Sequence, residues 1–121
     1  MQTARDISNL VEEEILRISD EGLVQRIRQL EVTPYPVKRD WDYGVKDEQY
    51  VCWTVVEHRE SNTGIAFCLE GFGPSYPWGL VSLSGRHLSI GMDCAWFVSL
   101  EEAMRESMAW DGSTPPGYET Q

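Results

Sequence analysis

The histidines and cysteines are the residues of this chain that could bind a metal ion, and their spacing argues against a metal site. The histidines are His58 and His87, and the cysteines are Cys52, Cys68 and Cys94. Zinc sites are usually marked by Cys-x-x-Cys or His-x-x-x-His spacing, and neither occurs here. We therefore predict that the protein binds no metal ion and needs no cofactor.

Catalysis by a cysteine or a histidine is also disfavoured. A nucleophilic cysteine needs a nearby base and usually a helix N-terminus, but Trp96 and Phe97 separate Cys94 from the next predicted helix. Glu57 and His58 are neighbours on a predicted strand, so their side chains point to opposite faces and cannot form an acid–base pair. Apolar neighbours and an odd number of cysteines indicate buried, reduced thiols. A small enzyme using Cys94 or His58 is therefore our third hypothesis, and we expect no enzyme activity.

Two clusters that combine acidic and aromatic residues suit a protein contact better than catalysis. Aromatic side chains give rigid contact area, and neighbouring carboxylates attract a basic partner. The alternative is that each tryptophan covers an edge of the core while its charged neighbours face water. We give that alternative more weight for Trp110 than for Trp41. The predicted partner-binding residues are Asp40, Trp41, Asp42, Tyr43, Asp47, Glu48, Trp110 and Asp111.

The charge balance narrows the class of partner. Twenty Asp and Glu residues against ten Lys and Arg give 121 residues a net charge of −10. Such a chain repels the phosphate backbone of nucleic acids and anionic membranes, and it attracts a basic protein. No apolar run reaches the roughly 18 residues of a membrane span, and the first residues lack the apolar region of a signal peptide. With reduced cysteines, these features predict a cytoplasmic protein.

Helical periodicity predicts helices near 4–18, 20–31 and 99–110. Asp6 is the expected N-cap of the first helix, and Ser99 begins a capping box for the third. Glu14 interrupts the apolar stripe of the first helix. It either marks the edge of the stripe or reaches an arginine such as Arg26 or Arg28, and we favour the edge because an isolated buried carboxylate is costly.

Alternating and β-branched residues predict strands near 49–60 and 65–71, followed by strands near 80–83, 87–92 and 96–98. We expect Gly64 to take a positive φ in the turn between the first two strands. We also expect Val51, Trp53 and Val55 to share a buried face with Phe67 and Leu69. The charged segment 37–48 is predicted to be a loop or a short edge hairpin that turns near Gly44.

Together these elements predict an α+β fold for a single domain over 1–121. We expect an N-terminal helical hairpin, an antiparallel sheet of four or five strands, and a C-terminal helix packed on one face of the sheet. Residues 112–121 are expected to form a flexible tail, because they are rich in glycine and proline.

In size, acidity, cytosolic character and lack of catalytic residues, the chain resembles the immunity proteins that bacteria make against polymorphic or contact-dependent growth inhibition toxins. The resemblance is one of class, and no residue role is carried over from it. It implies an inhibitor that covers the active site of a basic, nuclease-type toxin. The second hypothesis is an acidic secretion chaperone or adaptor, which would be expected to dimerise and to expose an apolar groove.

Overall fold

The computed structural model describes residues 3–41, 49–70, 75–84, 89–90 and 95–110. The predicted α+β class, with helices at both ends of the chain and an antiparallel sheet, is confirmed. The helices of this part of the chain are α1 (Ala4–Leu16), α2 (Glu21–Leu30) and α3 (Leu100–Glu106). Its strands are β1 (Glu31–Trp41), β2 (Gln49–His58), β3 (Thr63–Phe67), β4 (Trp78–Ser82), β5 (Ser89–Ile90) and β6 (Trp96–Phe97).

The strands form one sheet in the order β5-β1-β2-β3-β4-β6. The five strands from β1 to β6 in this order are antiparallel to their neighbours. Strand β5 pairs in parallel with β1 through two residues. Strands β1, β2, β3 and β4 lie side by side in the same order as they occur in the sequence. The central sheet is therefore a simple meander.

Side chains at the helix N-termini determine where the helices begin. Thr3, and not the predicted Asp6, is the N-cap of α1, and its hydroxyl accepts a hydrogen bond from the Asp6 backbone N at 3.2 Å. Asp6 completes the capping box by accepting from the Thr3 backbone N at 3.0 Å. Asp20 caps α2 through the Leu23 backbone N. Ser99 caps α3 as predicted, although α3 ends at Glu106, four residues earlier than expected.

Residues 31–41 form a strand, so the loop alternative was wrong for 37–41, whereas β1 and β2 pair antiparallel on either side of 42–48, as the hairpin alternative requires. The prolines of this segment hid the strand, because proline lacks the N–H that a ladder requires. The structure accommodates Pro34 at an irregularity in the β1–β2 register between Glu31 and Tyr35. Among the described residues, the other edge of β1 is paired only at Asp40 and Trp41, so a missing N–H over most of β1 costs little. The predicted turn near Gly44 lies outside the described residues.

The turn between β2 and β3 differs from the predicted one. It spans 59–62, and Asn62 takes the positive φ, 58°, that we expected at Gly64. Gly64 is instead required by close packing, because a Cβ atom there would lie 2.3 Å from the backbone oxygen of Val56. The β2–β3 register shifts between Thr54 and Val56, and this bulge lets both Val55 and Val56 enter the core.

All three helices cover one face of the sheet and bury a single apolar cluster there. The predicted helical hairpin is tied together by Arg28 of α2, which donates to the Glu12 carboxylate of α1 at 2.9 Å. A smaller cluster occupies the opposite face, as the alternation of side chains along a strand requires. Its members are Cys52, Ala66, Cys68 and Val81, with Tyr50 and Trp96 packed against them.

Candidate functional site

The predicted acidic and aromatic segment begins at one end of the sheet. Strand β1 ends there, and the pairing of Asp40 with Gln49 places the start of β2 beside it. Asp40 and Trp41 lie in β1, where their backbones pair with Ser89 and Ile90 of β5. The structure thus corrects the view that this part of the segment is free of secondary structure. The predicted contact residues Asp42, Tyr43, Asp47, Glu48 and Asp111 lie outside the described residues.

Three exposed apolar side chains lie at the same end of the sheet. The pairing of β2 with β3 ends at Trp53 and Phe67, two residues short of Val51 and Leu69. Phe67 also pairs with Trp78, and the backbone N of Cys68 donates to the Pro77 backbone oxygen at 2.9 Å, so Tyr76 lies at this end as well. We call Val51, Leu69 and Tyr76 the end row.

The helices stop short of the end row. One step further into the sheet, Phe67 and Trp78 are buried, with exposed fractions of 4% and 3% and ring centroids 4.8 Å apart. The end row, by contrast, has exposed fractions of 39% for Val51, 43% for Leu69 and 49% for Tyr76. The prediction that Val51 and Leu69 are buried was therefore wrong. Adjacent exposed apolar side chains of this kind mark interaction surfaces.

Sequence reasoning missed the end row because it extended the buried face of β2 and β3 to their ends. A signal was present in the turn-rich stretch that follows Leu69, which contains Gly71, Gly73, Pro74 and Pro77. Such a stretch ends regular pairing, and side chains at the end of a sheet are the first to lose the cover of the neighbouring layer.

Carboxylates dominate the charged surface of the described residues. Most arginines of this part of the chain are bound to acids, as in the pairs of Arg17 with Glu14, Arg28 with Glu12, and Arg59 with Glu57. Other carboxylates, on α1, α2, α3 and beside the end row, form no ion pair with a described residue, so their charge faces solvent. These acids are Glu13, Glu21, Glu70, Glu102 and Glu106.

Trp110 lies away from the end row and closes an edge of the core. It is half-buried against the main apolar cluster, and its ring lies 3.8 Å from the position that a Cβ atom on Gly22 would take. Arg26 holds the preceding residue in place by donating from Nε to the Ala109 backbone oxygen at 2.9 Å. This placement matches the alternative that we weighed for Trp110, in which the indole covers the core.

Of the residues considered for catalysis, the structure describes Glu57 and His58. His58 is buried, and its Nδ1 lies 2.7 Å from the Ser61 hydroxyl. Cys52 and Cys68 are buried thiols that form no disulfide bond, and the hydrogen bond from Cys52 lowers the pKa of Cys68. His87 and Cys94 lie outside the described residues. Within the described ranges, no three His, Cys, Asp or Glu side chains are grouped as a metal site requires.

None of the helices in the described part of the chain has the length and apolar character needed to cross a membrane. No protein-family model matches the chain, and no match was found among curated proteins or solved structures. The features that suggest a function are therefore the end row and the segment Asp40-Trp41-Asp42-Tyr43 beside it.

Proposed function

We propose that this chain is an acidic protein-binding inhibitor, an immunity protein that neutralises a basic, nuclease-type bacterial toxin by covering its active site. The observation that carries the proposal is the end row, an exposed apolar strip at the sheet end where the segment Asp40-Trp41-Asp42-Tyr43 begins. The described residues beside the end row carry both signs of charge, with Lys38 opposite Val51 on β1 and Glu70 after Leu69, so attraction to a basic protein comes from the net charge of −10 and from the acids of the segment.

The two parts of this surface have separate roles in the proposal. The end row and the aromatic residues of the segment contribute buried contact area, which determines how slowly the complex dissociates. The carboxylates meet the lysines and arginines of a nucleic-acid-binding cleft and take the place of phosphates. Because the net charge is −10, the electric field also steers a basic partner toward the surface before contact.

The first step is to look for a toxin gene next to the gene that encodes this chain. The catalytic domain of that toxin is then mixed with this chain. We expect a one-to-one complex in which nuclease activity is lost. The association rate should fall as salt is added, because screening removes the steering. A complex that retains full nuclease activity would contradict inhibition and would favour the adaptor hypothesis.

Variants then locate the surface. The double variant Leu69→Ser, Tyr76→Ser and the single variant Trp41→Ala should each weaken the complex about tenfold or more. Asp42→Lys should weaken it as well, since it adds repulsion to a basic partner. Leu16→Ser is the matched control, because Leu16 is 81% exposed on α1 and lies outside the end row. Unchanged affinity in both the double variant and Trp41→Ala would overturn the proposed surface.

A further inference from the structure

A cleft lies at the end of the sheet opposite the end row. Two cavities of about 440 and 310 Å³ meet there and share Arg26, His58 and Glu60 as lining residues. The larger one lies between the second half of α2 and the turn that follows β2. The smaller one is closed by Met108 and Trp110 from the segment after α3. The cleft thus combines charged groups, a histidine and an apolar wall.

Arg26 lines the cleft and forms no ion pair with a described acid, whereas the lining carboxylates Glu31 and Glu57 are bound to Arg28 and Arg59. Its Nε donates to the Ala109 backbone oxygen at 2.9 Å and its Nη1 donates to the Gln29 side-chain oxygen at 3.0 Å, and both acceptors are neutral. The neighbouring Arg28 and Arg59, by contrast, are bound to carboxylates. A guanidinium fixed by neutral acceptors keeps its charge available, and its planar donors suit a carboxylate or phosphate.

His58 also lines the cleft, and its ring is held in a fixed orientation. Ser61 holds Nδ1 at 2.7 Å, and the same hydroxyl lies 2.6 Å from that of Thr63, so the ring orientation is fixed. The Nε2 atom faces Glu60, whose carboxylate is 3.9 Å away. Because the Glu60 side chain is 92% exposed, it lies at the rim of the cleft and can turn into solvent when a ligand enters.

We propose that this cleft binds a small anion of the phosphate or carboxylate type that carries a flat apolar group. Arg26 binds the anionic group and His58 Nε2 lies beside it. Trp110 and Met108 supply the surface for the apolar group, since Trp110 is half-buried and Met108 is 69% exposed beside it. Arg26 also links the two halves of the site, because its bond to Ala109 holds the segment that carries Trp110.

The test is a titration followed by NMR at constant ionic strength, with phenyl phosphate, benzoate and inorganic phosphate as probes. We expect saturable shifts of the Trp110 indole signal and of the backbone amides of 58–61 with phenyl phosphate or benzoate. The tighter of the two probes identifies the anionic group. Shifts that stay linear to about 10 mM, which corresponds to a binding free energy weaker than roughly 3 kcal/mol, would overturn the proposal. Equal affinity for inorganic phosphate would overturn the role of the apolar wall.

Three variants test the assignment of charges. Arg26→Gln should weaken phenyl phosphate binding about tenfold or more, because it removes a charge-assisted contact. Arg5→Gln, an exposed arginine on α1, removes the same charge away from the cleft and should leave binding unchanged. Glu60→Gln should tighten binding about two- to fivefold, since it removes a like charge at the rim. A tenfold loss of affinity in Arg5→Gln, or no gain of affinity in Glu60→Gln, would contradict the site even if Arg26→Gln fails to fold.

Discussion

The carboxylate of Glu14 accepts a hydrogen bond from the backbone N of Leu100 at 2.9 Å, so that a residue near the end of α1 caps the first turn of α3 across 86 positions of sequence. Its second oxygen binds Arg17 at 3.1 Å. The sequence placed Glu14 at the edge of an apolar stripe, with Arg26 or Arg28 as the alternative partners. Glu14 therefore does reach an arginine, although a different one, and its contact with α3 is a role that neither alternative included. A helix N-terminus attracts a carboxylate because it presents free N–H groups and partial positive charge.

Removing this cap should destabilise the protein. We expect Glu14→Ala to lower the free energy of unfolding by about 1–2 kcal/mol, the usual value of a helix cap with a favourable charge. Glu14→Gln keeps an acceptor and should cost less. Glu13→Ala is the matched control, because Glu13 is the exposed neighbour on the same helix. Urea unfolding of the three variants provides the measurement, and equal losses at Glu13 and Glu14 would contradict the cap.

Alanine should have opposite effects at two glycines. A Cβ atom on Gly64 would lie 2.3 Å from the Val56 backbone oxygen, so Gly64→Ala must displace a strand and should cost more than about 2 kcal/mol. On Gly22 of α2 the nearest atom would be 3.4 Å away, and alanine is the better helix former. Gly22→Ala should therefore stabilise the protein by up to about 1 kcal/mol. Thermal unfolding measures both, and a destabilising Gly22→Ala would show that Trp110 packs more tightly against α2 than the distances allow.

Stability should fall as the solution becomes acidic. Hydrogen bonds from Arg28 lower the pKa of Glu12, and the Tyr35 hydroxyl lowers the pKa of Glu57. A carboxyl whose pKa is lower in the folded than in the unfolded state stabilises the fold above its ordinary pKa of about 4.5. That contribution is lost as the pH falls through the folded pKa. We therefore expect the free energy of unfolding to decline between about pH 5 and pH 3.

The double variant Arg28→Gln, Tyr35→Phe removes the donor with the largest effect on each carboxyl, while Arg59 still donates to Glu57, and should therefore reduce this decline. Arg5→Gln changes the net charge by the same amount as Arg28→Gln without removing either donor. Urea unfolding at a series of pH values compares the variants. An acid slope that is the same in the double variant and the wild type would exclude these two hydrogen bonds as its cause.

The cysteines should remain unpaired. Cys52 and Cys68 form no disulfide bond, their exposed fractions are 0% and 1%, and a hydrogen bond from Cys52 to Cys68 places the two thiols side by side. Thiol titration of the denatured chain without reductant should give three free groups. In the native state the two buried thiols should react slowly, because reagents reach them only through local opening. In a Cys94→Ser variant, two free groups are expected, and none would mean that Cys52 and Cys68 had formed a bridge.

The parts of the fold that sequence could predict are those where one local signal dominates. Apolar spacing identified all three helices, and β-branched residues identified β2. The start of β1 carries two prolines, Pro34 and Pro36, and its end carries several charges, so neither propensity nor alternation favours a strand. What makes it a strand is pairing with β2, a contact between segments that no local pattern records. Arg39 makes the same point, since an arginine in a charged run is 1% exposed.

The candidate contact surface combines a segment chosen from the sequence with a row of side chains found in the structure. The sequence drew attention to Asp40 and Trp41 because acids and aromatics alternate there. It could not reveal the end row, since Val51 and Leu69 have the spacing of buried residues. Their exposure depends on where the helices stop, and this is determined by helix length and by the packing of α3. The cleft at Arg26 was missed for a similar reason, because it joins segments 83 residues apart.

The end row divides neighbouring positions into two groups that differ in their tolerance of substitution. Val51 is next to Cys52 in sequence, and Leu69 is next to Cys68. Val51 and Leu69 are substantially exposed, whereas both cysteines are fully buried. Substitutions at 51, 69 and 76 should therefore cost little stability, whereas 52, 68 and 78 should tolerate only small or apolar residues. The side chains at this end of the sheet can thus change in shape and charge while the scaffold beneath them stays the same.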